Sequence, residues 1–179
     1  MIYLLAGHTP KGINQDPGAV GNGYREADLT MELRDMVADK LRSMGYTVHE
    51  DDDTHRLQQV LDNINAYESD VVFDIHFNAG GGTGVECIVP ERSTDLEREL
   101  ANKVNVMLST MLRIKNRGVK GEQLTARKRI AVMRENGINC LLETCFIDNK
   151  TDMTQYQLRK TEVATELALL IAEFEDKLV

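Results

Sequence analysis

Apolar positions along the chain follow two alternating rhythms: short continuous runs, and longer stretches with apolar residues three or four apart. The runs at 2–6, 46–49, 71–77, 84–89, 129–133 and 139–143 predict strands. The run 71–77, VVFDIHF, has few polar breaks, as expected of a central strand covered on both faces. Helical spacing predicts a helix over 26–44, with Leu29, Leu33, Met36, Val37, Leu41 and Met44 on one face and Gly45 as its stop. Further helices are predicted over 55–67 (Leu57, Val60, Leu61, Ile64) and 95–111 (Leu96, Leu100, Val104, Met107, Leu108, Met111). A last one starts near 152 and carries Val163, Leu167, Leu170, Ile171 and Phe174. This alternation predicts an α/β domain: a mostly parallel twisted sheet of about six strands with helices on both faces.

Composition narrows the picture. A chain of 179 residues with 42% hydrophobic positions suits one domain with one core, and residues 1–179 show no linker, repeat or low-complexity tract. No stretch approaches the roughly 20 apolar residues that span a bilayer. The N-terminus lacks a basic leader, and its apolar run 2–6 is too short for a signal-peptide core, so it reads as a buried strand and no export signal is expected. The formal charge of −8 disfavours nucleic acid and anionic membranes as partners. The one basic run, Arg127-Lys128-Arg129, reads as a solvated loop. Three cysteines without CxxC spacing argue against a disulfide framework or zinc ribbon; Cys87 and Cys140 read as small core residues.

Candidate chemistry sits at predicted strand ends, where ligands gather in open α/β sheets. His8 follows the first strand, His76 lies near the end of 71–77, Glu143 closes 139–143, and Glu26 opens the first helix. Two imidazoles and one carboxylate suit a single zinc ion with a fourth position left for water. A further carboxylate is then needed to move protons, and Glu143 stands in an otherwise apolar strand, where a charge is costly unless paired or functional. Asp74, inside the central strand, reads as an acceptor for a neighbouring group. His49 and His55 flank the acidic turn 50–53 and read as surface residues. Cys145 lacks a motif that would activate it as a nucleophile. The loop 7–23 is glycine-rich but fits neither a dinucleotide fingerprint nor a Walker A loop. Its glycines read as places where backbone wraps close to a metal and substrate. Asn78-Ala79 and Gly80-Gly81-Gly82 would form the opposite rim.

Three blocks resemble one known family. They are Ala6-Gly7-His8 with Asp16-Pro17-Gly18-Ala19 and Gly23-Tyr24-Arg25-Glu26; Asp74-Ile75-His76-Phe77-Asn78-Ala79; and Val132-Met133-Arg134 with Leu141-Leu142-Glu143-Thr144-Cys145-Phe146-Ile147-Asp148-Asn149. In this order the chain resembles the zinc-dependent N-acetylmuramoyl-L-alanine amidases of the Amidase_3 type, found in bacterial autolysins and phage endolysins. The match departs at Thr9-Pro10, Asp74, Cys145 and Asp148, where the family often has Gly-Gly, Ser, Gly and Ser.

The resemblance implies Zn2+ held by His8, Glu26 and His76, Glu143 as catalytic acid and base, and Asn78 as a substrate contact. It implies cleavage of the amide between N-acetylmuramic acid and L-alanine, with peptidoglycan as partner. Residues 1–179 then read as a catalytic domain without its own wall-binding module, such a module belonging to a longer natural chain. The protein would be made in the cytoplasm and act on the wall after release, or be a trimmed part of a secreted autolysin. Three alternatives stay open. A zinc carboxypeptidase would usually place its first His and Glu as H-x-x-E, whereas residues 9–25 intervene here. A silent wall-binding module and a structural-zinc scaffold are the others.

Overall fold

The computed structural model describes residues 1–13 and 15–178, so Asn14 of the glycine-rich loop and the terminal Val179 lie outside the described residues. The strands are β1 (Ile2–Ala6), β2 (Val20–Gly21), β3 (Tyr24–Arg25), β4 (Val48–Glu50), β5 (Val71–Asn78), β6 (Val85–Val89), β7 (Asn116–Gly121) and β8 (Ile138–Phe146). The helices are α1 (Glu26–Ser43), α2 (Leu57–Asn63), α3 (Asp95–Leu112) and α4 (Lys150–Asp176). Six strands form one sheet in the order β4-β1-β5-β8-β6-β7, and β2 and β3 make a separate small hairpin. All neighbours in the large sheet are parallel except β6 and β8.

Side-chain alternation divides the sheet into two unequal faces. Ile2, Leu4, Phe73, Ile75, Phe77, Cys87, Cys140 and Leu142 pack beneath α1, α3 and α4 in the larger core. Tyr3, Leu5, Val72, Ile88 and Leu141 form a smaller cluster with Val60 and Ile64 of α2 and its flank, and with Val132 and Met133. Asp74, His76, Glu86 and Glu143 continue the alternation of this second, thinly covered face. Among the described residues no helix is long and apolar enough to cross a membrane.

The α/β class, the mostly parallel sheet and the helices on both faces agree with the pattern read from the sequence. Two elements differ. The apolar run predicted as a strand over 129–133 is a 3-10 turn, Ala131–Arg134, whose Val132 and Met133 cap the smaller core. Strand β7 was not predicted: NRGVKG has one apolar side chain and two glycines, and it pairs on one side only, at the sheet edge.

Candidate active site

The three parallel strands β1, β5 and β8 deliver the site from their carboxyl ends. Beyond β1, the Gly7 N–H continues the ladder to the Ile75 carbonyl at 2.9 Å, and His8 follows in a left-handed conformation with φ 74°. Such a φ is uncommon for a residue with a Cβ and costs on the order of 1 kcal/mol. The β2–β3 hairpin returns the chain so that Glu26 starts α1, its N–H bonded to the Ala19 carbonyl at 2.8 Å. Thr30, one turn later, donates its hydroxyl to the Gly7 carbonyl at 2.8 Å and ties the helix to the His8 loop.

One carboxylate joins the two imidazoles. Glu26 Oε2 lies 3.0 Å from His8 Nε2, and Glu26 Oε1 lies 3.0 Å from His76 Nδ1. The same oxygens accept the N–H groups of Ala19 at 2.8 Å and Phe77 at 3.1 Å. One potential ligand atom from each of His8, Glu26 and His76 lies within 4.8 Å of the others. Burial alone would raise the Glu26 pKa, but the hydrogen bonds and charges of His76 and His8 outweigh it and hold the carboxyl far below its usual range. Burial would lower both histidines; Glu26 with Asp16 reverses this for His8, and Asp74 with Glu26 reverses it more strongly for His76.

The remaining imidazole nitrogens also have carboxylate partners. Asp16 Oδ2 lies 2.9 Å from His8 Nδ1, and Asp74 Oδ2 lies 3.3 Å from His76 Nε2. Carboxylates on the far nitrogen of histidine ligands fix ring orientation and raise donor strength. Asp74 is thus the partner of its own strand neighbour, which period-two spacing allows. The role of Asp16 was not read from the sequence because the loop that folds it back carries no periodic signal.

Glycine is required at two points of close approach. A Cβ on Gly7 would stand 2.3 Å from His76 Cε1, and one on Gly18 (φ 62°) would stand 2.5 Å from His8 Cδ2 and 2.6 Å from Glu26 Oε2. Both fall in the loop whose glycines were expected to bring backbone near the site.

Glu143 lies opposite His76 in the β5–β8 register and opposite Glu86 in the β6–β8 register. Its Oε2 is buried without a hydrogen-bond partner among the described residues. Burial, opposed by His76 and reinforced by the charges of Glu26, Glu86 and Asp74, pushes its pKa up to about 7. Just past Glu143 the register moves from His76↔Glu143 to Asn78↔Phe146, one extra residue in β8. The bulge breaks the alternation of faces. Cys145 therefore falls into the larger core beside Met153, and burial holds its thiol protonated.

Asn78 lies on the rim beyond His76. Its Nδ2 donates to Glu86 Oε1 at 2.9 Å, and its Oδ1 accepts the Ala79 N–H. Glu86 also holds Arg117 at 2.9 Å and Lys120 at 2.6 Å. The glycine rim is fastened by Asp148, whose Oδ2 accepts the N–H groups of Gly80 and Gly81 at 2.8 Å each. Glu86 is not legible as an anchor from the chain alone, since its partners lie on other strands.

Chemically, a buried carboxylate flanked by two oriented imidazoles is a donor set that suits zinc, with three protein ligands as in catalytic sites. The nearby orphaned carboxylate oxygen of Glu143 has the environment of a proton-transfer group.

The family model described as N-acetylmuramoyl-L-alanine amidase (Amidase_3) matches residues 2–173. The chain is 29% identical over 160 residues to the uncharacterized protein YqiI of Bacillus subtilis, covering 84% of this chain and 72% of that protein. It is 27% identical over 157 residues to the N-acetylmuramoyl-L-alanine amidase CwlM of Bacillus licheniformis, covering 84% of this chain but only 58% of that protein. The fold matches the catalytic domain of CwlV, the amidase from Bacillus (Paenibacillus) polymyxa, with a TM-score of 0.77 at 22% identity, covering 98% of this chain and 97% of that one.

Proposed function

Because the chain belongs to the N-acetylmuramoyl-L-alanine amidase family, we propose that it hydrolyses the amide joining N-acetylmuramic acid to L-alanine of the peptidoglycan stem peptide. In this reading one Zn2+ is held by His8, Glu26 and His76. The observation that carries it is the convergence of those three side chains on one point, with Glu143 directly across the sheet from His76.

Zinc, when bound, supplies Lewis acidity, which brings the pKa of water down towards about 7 and favours negative charge on oxygen. The protein's own groups do the rest. Asp16 and Asp74 hold the His8 and His76 rings in place. Glu143 accepts a proton from the attacking water as its oxygen bonds to the lactyl carbonyl carbon. It then returns that proton to the L-alanine nitrogen as the C–N bond breaks. A carboxyl with a pKa of about 7 in the metal-free chain is poised to take and give a proton near neutrality. The burial of Glu143 and its unsatisfied oxygen support this role, since an unpaired buried carboxylate otherwise carries a desolvation cost. Asn78, held by Glu86, is assigned to the substrate-facing rim.

The partner in this reading is peptidoglycan and the place of action the cell wall. The chain spans 58% of the length of CwlM; a wall-binding module in a longer natural chain, with residues 1–179 as its catalytic part, belongs to the proposal. Digestion of several purified peptidoglycans, with mass spectrometry of the fragments and a chelator control, tests it. Newly freed L-alanine amino groups and intact muramic acid are expected. Release of C-terminal amino acids would indicate a carboxypeptidase instead.

A further inference from the structure

The basic run that reads as a solvated loop in the sequence takes a definite shape. Lys128 and Arg129, together with Arg92 and Arg134, line a cavity of about 640 Å3 that also includes Pro90, Met133 and one carboxylate, Glu91. Arg92 comes from the segment after β6, and the others from the segment before β8, so the cations arrive from two separate parts of the chain. Arg134 pairs with Glu122. The side chains of Arg92, Lys128 and Arg129 have no ion pair or hydrogen bond among the described residues, and in a chain of charge −8 acidic partners are abundant.

The loop is built rather than slack. Glu122, only 1% exposed, accepts the Ile130 N–H at 2.7 Å and pairs with Arg134. Thr125 donates its hydroxyl to the Glu122 carbonyl at 2.7 Å, and the Lys128 N–H returns to Thr125. Lys128 itself is held at φ 57°, a left-handed conformation that costs a lysine energy. Structure is thus spent on gathering four cations where the lining offers only Glu91 as a counter-charge besides the Glu122 already paired with Arg134, and such an excess of like charge is relieved by a bound anion. Guanidinium forks match the paired oxygens of phosphate and carboxylate groups.

The cavity is separate from the candidate active site. Glu86 faces Glu143, and β6 runs antiparallel to β8, so Pro90 lies four residues further along, towards the N-terminal end of β8, about 13 Å away at strand rise.

We propose that Arg92, Lys128, Arg129 and Arg134 form a second binding site for oxyanions repeated along a cell-wall polymer, phosphodiester or carboxylate. It would hold the polymer while the active site works on a neighbouring stem peptide. The choice of a wall polymer rests on the function proposed above; the anion site itself does not.

The test is calorimetric titration of the full chain at two salt concentrations with short linear polyphosphate, poly-L-glutamate and duplex DNA of matched charge. The protein should bind one or both of the first two, more weakly at high salt. The triple variant Arg92→Gln, Lys128→Gln, Arg129→Gln should bind at least tenfold more weakly and lose salt dependence, while its turnover of a soluble muramyl peptide stays unchanged. The charge-conserving variant Arg129→Lys should still bind, which separates charge from folding. Preference for polyphosphate identifies a phosphodiester polymer, and preference for polyglutamate a carboxylate-bearing one. No binding, equal binding by the triple variant, or tightest binding to DNA overturns the proposal. Because binding is read without turnover, an inactive protein leaves this result interpretable.

Discussion

His76 and Glu143 stand opposite each other on the adjacent parallel strands β5 and β8, so an imidazole and an unpartnered carboxylate share one face of the sheet. Their separate environments push them apart in character. Asp74 and Glu26 hold His76 by both nitrogens, while Glu143 has a buried oxygen with no donor among the described residues.

Replacing Glu143 by Gln should remove proton transfer while leaving the three proposed ligands untouched. Turnover of peptidoglycan should fall by about 10²- to 10⁴-fold, the usual range for an acid–base group. Elemental analysis of the same sample should still find zinc. Native turnover in Glu143→Gln would remove that residue from the mechanism.

The same substitution should change stability with a definite sign. Glu143 is raised from 4.5 to about 7 in the folded, metal-free chain. Between those values the folded state keeps a proton that the unfolded chain has released, so this contribution is fully present below pH 4.5 and is lost as pH rises through about 7. The loss is on the order of 3 kcal/mol. Denaturant titration of metal-free protein across this window should show the decline in wild type and a flatter profile in Glu143→Gln. Parallel profiles would show that Glu143 titrates normally.

Asp74→Asn and Asp16→Asn should each lower zinc affinity about 10- to 100-fold with little effect on folding, because each carboxylate orients an imidazole without lying in the ligand set. Competition against a chelating dye measures this. Unchanged affinity in both variants would mean the rings are held by other contacts.

Gly7→Ala and Gly18→Ala test the closeness of the loop to the site. A methyl at either position collides with an imidazole at 2.3 or 2.5 Å. Zinc binding and turnover should fall sharply in both, and Gly18→Ala carries additional backbone strain from its φ of 62°. A Gly7→Ala protein with native zinc affinity would contradict the geometry.

Much of this was legible in the chain because hydrophobic runs and helical spacing are local signals. β5 is the run 71–77 extended by one residue, and the pattern at 26–44 is α1 to within a residue. Their ends place His8, Glu26, His76 and Glu143 on one edge of the sheet without long-range knowledge. What failed was non-local. The apolar residues at 129–133 look like a strand, but they turn into a 3-10 segment that plugs the smaller core. Nothing in the acidic turn 50–53 marks Asp51 out, yet its side chain is buried, with Oδ1 taking the Ala6 N–H at 3.0 Å and Arg34 at 2.8 Å. The bulge that turns Cys145 away from His76 is visible only in the pairing register. Likewise Arg92 and Lys128 lie far apart in sequence and meet only across the cavity.

Zinc stoichiometry in matched samples tests the central claim most directly. Wild-type protein stripped by chelator and reloaded should bind one equivalent of zinc and regain turnover, while His8→Ala and His76→Ala, still folded by circular dichroism, should bind far less. A stripped wild-type protein that remains fully active, or histidine variants that keep a full equivalent, would contradict it.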